Sequence, residues 1–467
     1  MFGASAGSGG PLLNRRRFLT GAAGLAAVGG LCGSAPQPVV AGRRRPGGRP
    51  NIVLLVTDDQ PLGTEWATPS IRGTTFTRAY ATTPLCGPSR ASILTGRYAH
   101  NHGVLQNLWP QRLDMRSTLP CLLREQGGYR TAIVGKYLNG WHLRDAPPYF
   151  DEYAVMHPPL YEHARWNLNG TIVTQAAYTT SLIRQYAVDF LRRRRGDPRP
   201  WFLYVTPYAP HEPFWPESAY ADLAVPPWDG NPAVARTGRE GKPAYIRGAD
   251  GTPEHGRRIR AAQLRALRSV DDLFRALWNE LAAQDALNDT LVMVVSDNGY
   301  CWADHGWVGK NVPYAPSTRI PLTIHWPAGG FGPGRRDDRL VATIDIAPTL
   351  LDAAGIPAEA DGRSLLRPGD RDDLLLEWWK HGGGQAGHSW ASVVGRDFQY
   401  IEHYDLRLND DGRLEGDGAV VHREYYDLRA DPHQVRNLLH GAAPDAWRRL
   451  GVDRLSARLA PVRSAFR

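Results

Sequence analysis

Cysteine is scarce, with four in 467 residues, at positions 32, 86, 121 and 301. So few, so far apart, exclude a disulfide framework as the source of stability. Acidic residues are absent from the first 50 positions, which carry seven arginines. Those arginines account for seven of the eight net positive charges, so the rest of the chain is close to neutral and gives no argument for nucleic-acid binding. Any attraction for an anionic substrate must then be local. No long apolar run suggests a stable membrane span: the small, apolar stretch at residues 21–31 is too short and too rich in Gly and Ala. Internal repeats are also missing.

The composition is that of a globular protein, with 42% hydrophobic and 22% charged residues, and the length suits one large domain plus a smaller one. With 49 Gly and 37 Pro, long structured loops are expected. Arg15-Arg16-Arg17-Phe18-Leu19 before the apolar stretch resembles a twin-arginine export signal, with a cleavage site near Val39-Val40-Ala41. This implies the export machinery as a partner and a secreted, periplasmic or cell-surface destination. Cys32 does not suit a lipid anchor, because Leu31 is large where a small residue is expected.

Buried strands are predicted at 51–57, 131–135, 201–206, 290–296, 320–326 and 340–344 from short apolar runs. Amphipathic helices are predicted at 177–195, at 257–287 and, shorter, at 345–354 before Gly355. Residues 221–256 lack periodicity and read as a long surface excursion, either a recognition loop or plain disorder. Polar residues follow four of the strands: Asp58-Asp59, Lys136, His211 in a proline-flanked loop, and Asp297-Asn298. Their placement at strand ends argues for an α/β fold. The expected fold is a large doubly wound mixed or parallel sheet flanked by helices, with its site at the carboxyl edge and a small C-terminal antiparallel-sheet subdomain. The expected division is a signal peptide at 1–41, a linker at 42–50, a catalytic domain at 51–369 and the subdomain at 370–467.

The chain is organised around Cys86-Gly-Pro-Ser-Arg90-Ala-Ser-Ile-Leu-Thr-Gly-Arg97. Pro88 suits the first turn of a helix, which would place Cys86 at its positive end with Arg90 on the same face. A nucleophile position, a fixed cation and a helix N-terminus suit a tetrahedral oxyanion. The stretch resembles the sulfatase signature C-x-P-S-R-x-x-x-L-T-G-R at all eight fixed positions of twelve. In place of this reading, a buried Cys before an ordinary helix would be unremarkable, but eight matches make that improbable.

The resemblance implies the formylglycine-dependent enzymes of the alkaline phosphatase superfamily. It implies that a formylglycine-generating enzyme converts Cys86 to formylglycine, and that Asp58, Asp59, Cys86, Asp297 and Asn298 bind Ca2+ rather than Mg2+. It also implies that Arg90, Lys136, His211 and Lys310 are catalytic, with Lys136, His211 and Lys310 contacting the sulfate. The hydrated aldehyde would attack sulfur, His211 or Lys310 would protonate the leaving alcohol, and the second hydroxyl would then expel sulfate, a step an unmodified thiol cannot complete. Two departures stand out. Leu138 sits where many members have a His, leaving Asn139, His142 or nothing to replace it, and Ala315 stands where Glu is frequent. The text from Gly135 to Gly140 is closer to the subgroup acting on glucosamine 6-sulfates, so a sulfated saccharide is the expected substrate. The alternatives are a formylglycine-dependent phosphonate monoester hydrolase or phosphodiesterase, and a non-catalytic carbohydrate-binding protein with an unmodified Cys86. Cys301 reads as a bystander or a pocket-lining thiol, and Trp378, Trp379, Lys380 and His381 as core or cleft residues.

Overall fold

A computed structural model describes residues 48–235, 239–382 and 387–464. The export signal, Cys32 and most of the proposed linker lie outside the described residues. The main sheet holds β1 (Asn51–Thr57), β2 (Thr74–Tyr80), β3 (Arg130–Gly135), β4 (Glu152–Met156), β5 (Ala164–Leu168), β6 (Thr171–Gln175), β7 (Trp201–Thr206) and β8 (Thr290–Ser296). A hairpin of β9 (Cys301–Asp304) and β10 (Trp307–Gly309) follows, and β11 (Leu322–His325) and β12 (Arg336–Ala342) complete ten strands in the order β12-β2-β11-β8-β1-β7-β3-β4-β5-β6. The neighbours β8, β1, β7, β3 and β4 are parallel, whereas β11 runs against β8 and β2, and β5 and β6 extend the edge as an antiparallel hairpin. The sheet is therefore mixed, as expected.

Burial on both faces explains why the central strands read as unbroken apolar runs. Ile52, Leu54 and Val56 of β1 join one core, which includes Ile93 and Leu94 of the helix Cys86–Thr95 and Leu350 of the helix Ile346–Ala353. Val53 and Leu55 face the other core, with Ile183 and Leu191 of the helix Thr179–Arg193 and Leu264, Leu267, Val270 and Leu273 of the helix Pro253–Ala283. Each such side chain contributes roughly 1.5–3 kcal/mol through its removal from water.

The long helix starts four residues before its predicted position, because Thr252 accepts a cap bond from the His255 N–H (3.2 Å) and Pro253 fills the first turn. It stops at Ala283, where Asp285 turns to a left-handed φ of 52°. The strand predicted at 340–344 instead spans Arg336–Ala342, drawn toward its N-terminus by pairing with β2, and residues 343–345 form a 3-10 turn. Strands β2, β4, β5 and β6 escaped the sequence reading.

A second sheet, β13 (Asp373–Trp378), β14 (Ser389–Gly395), β15 (Phe398–Tyr404) and β18 (Val420–Asp427), is antiparallel in that order; β16 (Arg407–Leu408) and β17 (Leu414–Glu415) form a small ribbon. Trp378 and Trp379 are core residues, both nearly fully buried. The 221–256 excursion is anchored to this sheet. Lys242 is buried, with Nζ donating to Tyr426 Oη (2.6 Å) and to the Gln434 carbonyl (2.6 Å), 4.0 Å from the Tyr314 ring centroid. Its countercharge, Glu424, lies 3.6 Å away and also engages His403 Nε2 (2.8 Å) and Tyr314 Oη (3.1 Å).

Burial alone would raise Glu424, but Lys242 and His403 outweigh it and bring its pKa from 4.5 to about 2. Burial brings Lys242 from 10.5 to about 8, against the pull of Glu424. The first shift stabilises the fold above pH 4.5 and the second opposes it below pH 10.5, so near neutrality the pair contributes little net stability. Removing one partner is different. Glu424→Gln leaves a buried ammonium without its countercharge and should cost roughly 3–5 kcal/mol in urea unfolding at pH 7. The wild-type loss of stability as pH falls from 4.5 toward 2 should shrink in this variant. A cost below about 1 kcal/mol would contradict this account.

Candidate active site

The strand order puts four carboxyl ends side by side, in the sequence β8-β1-β7-β3. Thr57 and Ser296 are paired across β1 and β8, so the next residues, Asp58 and Asp297, leave the sheet together. Asp59 adopts a left-handed φ of 61°, and its N–H donates to Asp297 Oδ1 (3.0 Å). The Asn298 amide donates to Asp59 Oδ1 (2.7 Å). All four side chains are buried, within 1% of full burial.

The helix Cys86–Thr95 delivers Cys86 to this edge. It ends at Gly96, where φ is 73° and an added Cβ would lie 2.8 Å from the Ala360 Cβ, so glycine is required. Its first turn is fixed by Gly87 N–H to Asn107 Oδ1 (2.7 Å) and Ser89 Oγ to the Asp297 carbonyl (2.5 Å). Cys86 Sγ lies 3.3 Å from Asp58 Oδ1 and 3.7 Å from Asp59 Oδ1. Arg90 is fully buried and acts as a hub: Nε donates to Asp297 Oδ2 (2.9 Å), one terminal nitrogen donates to the Lys136 carbonyl (3.1 Å), and the other lies 3.5 Å from Asp58 Oδ2. Arg97, the last signature residue, lies outside the cluster, 3.8 Å from Glu359.

Lys136 follows Gly135, whose φ of 118° and close approach to the Thr206 carbonyl leave no room for a Cβ. Its Nζ lies 2.5 Å from Asp58 Oδ2. Lys310 Nζ contacts Cys86 Sγ (2.8 Å) and Asp59 Oδ1. His211 Nε2 lies 3.5 Å from Asp59 Oδ2, its ring stacked on Tyr208 with centroids 4.7 Å apart. Every residue predicted for the site is thus placed at one edge.

Three carboxylates and three fixed cations share this buried volume, and the shifts follow from that crowding. Burial would raise Asp58, but Lys136, His211, Arg90 and Lys310 together hold it well below the usual carboxylate range. Burial and the neighbouring Asp58 raise Asp297 to about 6 in spite of Arg90. Burial, then Asp58, pushes the Cys86 thiol far above its ordinary value, so the unmodified side chain is a poor nucleophile. Burial opposes the charge on Lys310, yet Asp59 and Cys86 raise it well above the usual lysine value.

The carboxylates of Asp58, Asp59 and Asp297 and the Asn298 amide oxygen suit a hard divalent cation, whereas the Cys86 sulfur and the His211 ring nitrogen are softer donors. Ligand atoms of Asp58, Asp59, Cys86 and His211 lie within 4.8 Å of one another. Asn298 Oδ1 is buried without a hydrogen-bond partner among the described residues, as expected of an oxygen reserved for a metal. Asp297 accepts one bond on each carboxylate oxygen, from Arg90 Nε and from the Asp59 N–H, which leaves each oxygen a further lone pair for a cation.

Of the two suggested replacements for the missing His, His142 is exposed and sits 3.7 Å from Asp145, away from the cluster. Asn139 shares a small pocket with Lys136, and its Oδ1 is buried without a partner among the described residues. The same pocket is lined by His157, which the sequence reading missed. His157 follows β4, the next parallel strand after β3, so it too stands at the carboxyl edge. Recognising β4 would have found it. Cys301 is fully buried in a separate apolar core, and burial raises its thiol, which fits a bystander. His381 lies 3.4 Å from Asp410 and edge-on to Trp109.

A family model described as Sulfatase matches residues 50–356, and one described as N-sulphoglucosamine sulphohydrolase, C-terminal, matches residues 303–448. An N-acetylglucosamine-6-sulfatase of Capra hircus is 30% identical over 472 residues, covering 87% of this chain and 83% of that protein. An extracellular sulfatase homologue of Drosophila melanogaster is 31% identical over 357 residues, 68% of this chain and 31% of that protein. Among solved structures, a protein in complex with its substrate D-glucosamine-2-N,6-O-disulfate has a TM-score of 0.76 at 22% identity, covering 90% of this chain and 98% of that chain. The phosphonate monoester hydrolase of Agrobacterium radiobacter has a TM-score of 0.68 at 23% identity, covering 89% and 96%. Both structures share the fold.

Proposed function

The chain belongs to the sulfatase family and is a sulfuric ester hydrolase, and from that premise we propose that it cleaves the sulfate ester of a sulfated carbohydrate with a formylglycine made from Cys86 and a Ca2+ held beside it. The observation that carries this reading is the convergence of Cys86 with Asp58, Asp59 and Lys310 in one buried cluster. Asp58, Asp59, Asp297 and Asn298 would hold the cation, which when bound would polarise the ester oxygens and favour ionisation of the attacking hydroxyl. The aldehyde, hydrated, would supply a nucleophile able to release sulfate and return to its starting state.

The chain's own residues do the rest. Three carboxylates against Arg90, Lys136 and Lys310 leave little net charge, and a divalent cation makes the site positive, the sign an anionic ester requires. Lys136 and Lys310 bind sulfate oxygens, and Arg90 holds Asp58 and Asp297 in position. His211, partly exposed beside Asp59, would return a proton to the leaving alcohol; Lys310 is the second donor, within reach of residue 86. Relatives named as glucosamine 6-sulfatases support a saccharide substrate, and the likeness to a phosphonate monoester hydrolase rests on fold.

The reading extends to a catalytic domain at 51–369 with a C-terminal subdomain at 370–467, and to export through the twin-arginine route. Among the described residues no helix is long and apolar enough to cross a membrane. Mass spectrometry of the peptide containing residue 86, from protein made in its own host, tests the proposal. One sulfur and two hydrogens should be exchanged for one oxygen. An intact thiol in active-site peptide throughout would favour a non-catalytic carbohydrate-binding protein.

A further inference from the structure

A groove outside the catalytic cluster has the chemistry of a second ligand site. Two cavities, of about 220 and 360 Å3, share Ala315, Arg319 and Pro432 in their walls and so adjoin. The smaller is walled by Trp228, Tyr300 and Trp302. Trp302 meets Trp228 edge-on with centroids 5.7 Å apart, and its indole N–H donates to Gln263 Oε1 (2.6 Å), so this wall is held rigidly. The larger is lined by Arg78, Arg319, Arg396 and Arg429, with Asp397 as its one carboxylate.

The arginines are not equally compensated. Arg396 pairs with Asp338 (3.0 Å) and Asp370 (2.8 Å), and Arg429 lies 3.7 Å from Asp397. Arg78 and Arg319 donate to backbone carbonyls, those of Arg396 (2.8 Å) and Thr77 (2.6 Å), and have no carboxylate at ion-pair distance among the described residues. Arg319 Nε is buried and has no hydrogen-bond partner among the described residues. A guanidinium with spare donors matches the oxygens of a sulfate group, and flat aromatic faces match the apolar faces of pyranose rings. Ala315, at the junction, presents only a methyl group between the two halves.

We propose that this groove binds a sulfated oligosaccharide, with a sugar ring against Trp228, the half-buried member of an aromatic cluster whose Tyr300 and Trp302 are buried behind it, and a sulfate group at Arg78 and Arg319. None of the groove's lining residues belongs to the hydrolytic cluster, but the two adjoin: Pro61 and Leu62 follow Asp59 closely in the chain, and Tyr300 follows Asn298. Gln263, which bonds Trp302, also donates to the Asp59 carbonyl (3.2 Å), which ties the groove's aromatic wall to the cluster.

Calorimetric titration of a heparin-derived hexasaccharide into the full chain carrying Cys86→Ala tests this without turnover, so failure of the hydrolase reading would not disturb it. Adding Ala315→Glu puts a carboxylate and bulk at the junction and should raise Kd at least about tenfold; Arg78→Ala, which gives up one carbonyl contact, should do so by about the same factor. The desulfated hexasaccharide should bind at least about tenfold more weakly than the sulfated one. Should the glutamate disturb the turn at 315–318, Arg78→Ala carries the test alone. An unchanged Kd in Arg78→Ala, or equal affinity for the desulfated sugar, overturns the proposal.

Discussion

Cys86→Ala should abolish turnover, lowering kcat for a sulfated glucosamine by roughly 10^4-fold or more, the scale on which loss of a nucleophile acts. The cause is chemical. The bonds that hold the first turn, Ser89 and Arg90 to Asp297, do not involve the thiol, so Tm should stay close to that of the parent. Cys86→Ser should be nearly as inactive. It keeps a hydroxyl beside Asp58, but a simple sulfate ester on that hydroxyl cannot be expelled as a hydrate can expel it. Steady-state rates with a burst measurement separate the cases: a single stoichiometric turnover in the serine variant fits, and sustained turnover above about a hundredth of wild type in either variant removes residue 86 from the mechanism.

Asp297→Asn should produce the second largest effect, a fall of roughly 10^3-fold in kcat/KM, corresponding to several kcal/mol of charge stabilisation. The carboxylate is central to the cluster, accepting from Arg90 Nε and the Asp59 N–H. Its replacement leaves Arg90 buried with less countercharge and reduces the negative charge available to a cation. A cation that binds the folded chain raises Tm as its concentration rises. Wild type should therefore show a Ca2+-dependent rise in Tm that the variant lacks. If the variant keeps that rise in full, Asp297 is not part of the metal-binding arrangement, and its role is confined to Arg90.

Legibility in the sequence tracked burial pattern. β1, β7 and β8 matched their predicted bounds, because strands buried on both faces read as unbroken apolar runs ended by polar residues. β2 includes the half-buried Thr75, Thr77 and Arg78, and β5 and β6 are short and partly exposed, so they lack that signature. One cue to the last pair was present: Asn169-Gly170 at their turn, with both residues at positive φ. The start of the long helix was also legible in Thr252 and Pro253, but the excursion before it carried no periodicity to set the boundary against.

The sequence by itself determined the helix that begins at Cys86, the central strands and the polar residues at their ends, because those are local patterns of apolarity, proline and charge. Only the tertiary structure decided that β8, β1, β7 and β3 are neighbours, and hence that Asp297, Asp58, His211 and Lys136 meet. It alone placed His157 beside Lys136, buried Lys242 against Glu424, and joined an aromatic wall to an arginine-lined one across Ala315. Each of these depends on which segments pack together over long separations in the chain, and no local pattern of residues encodes that adjacency.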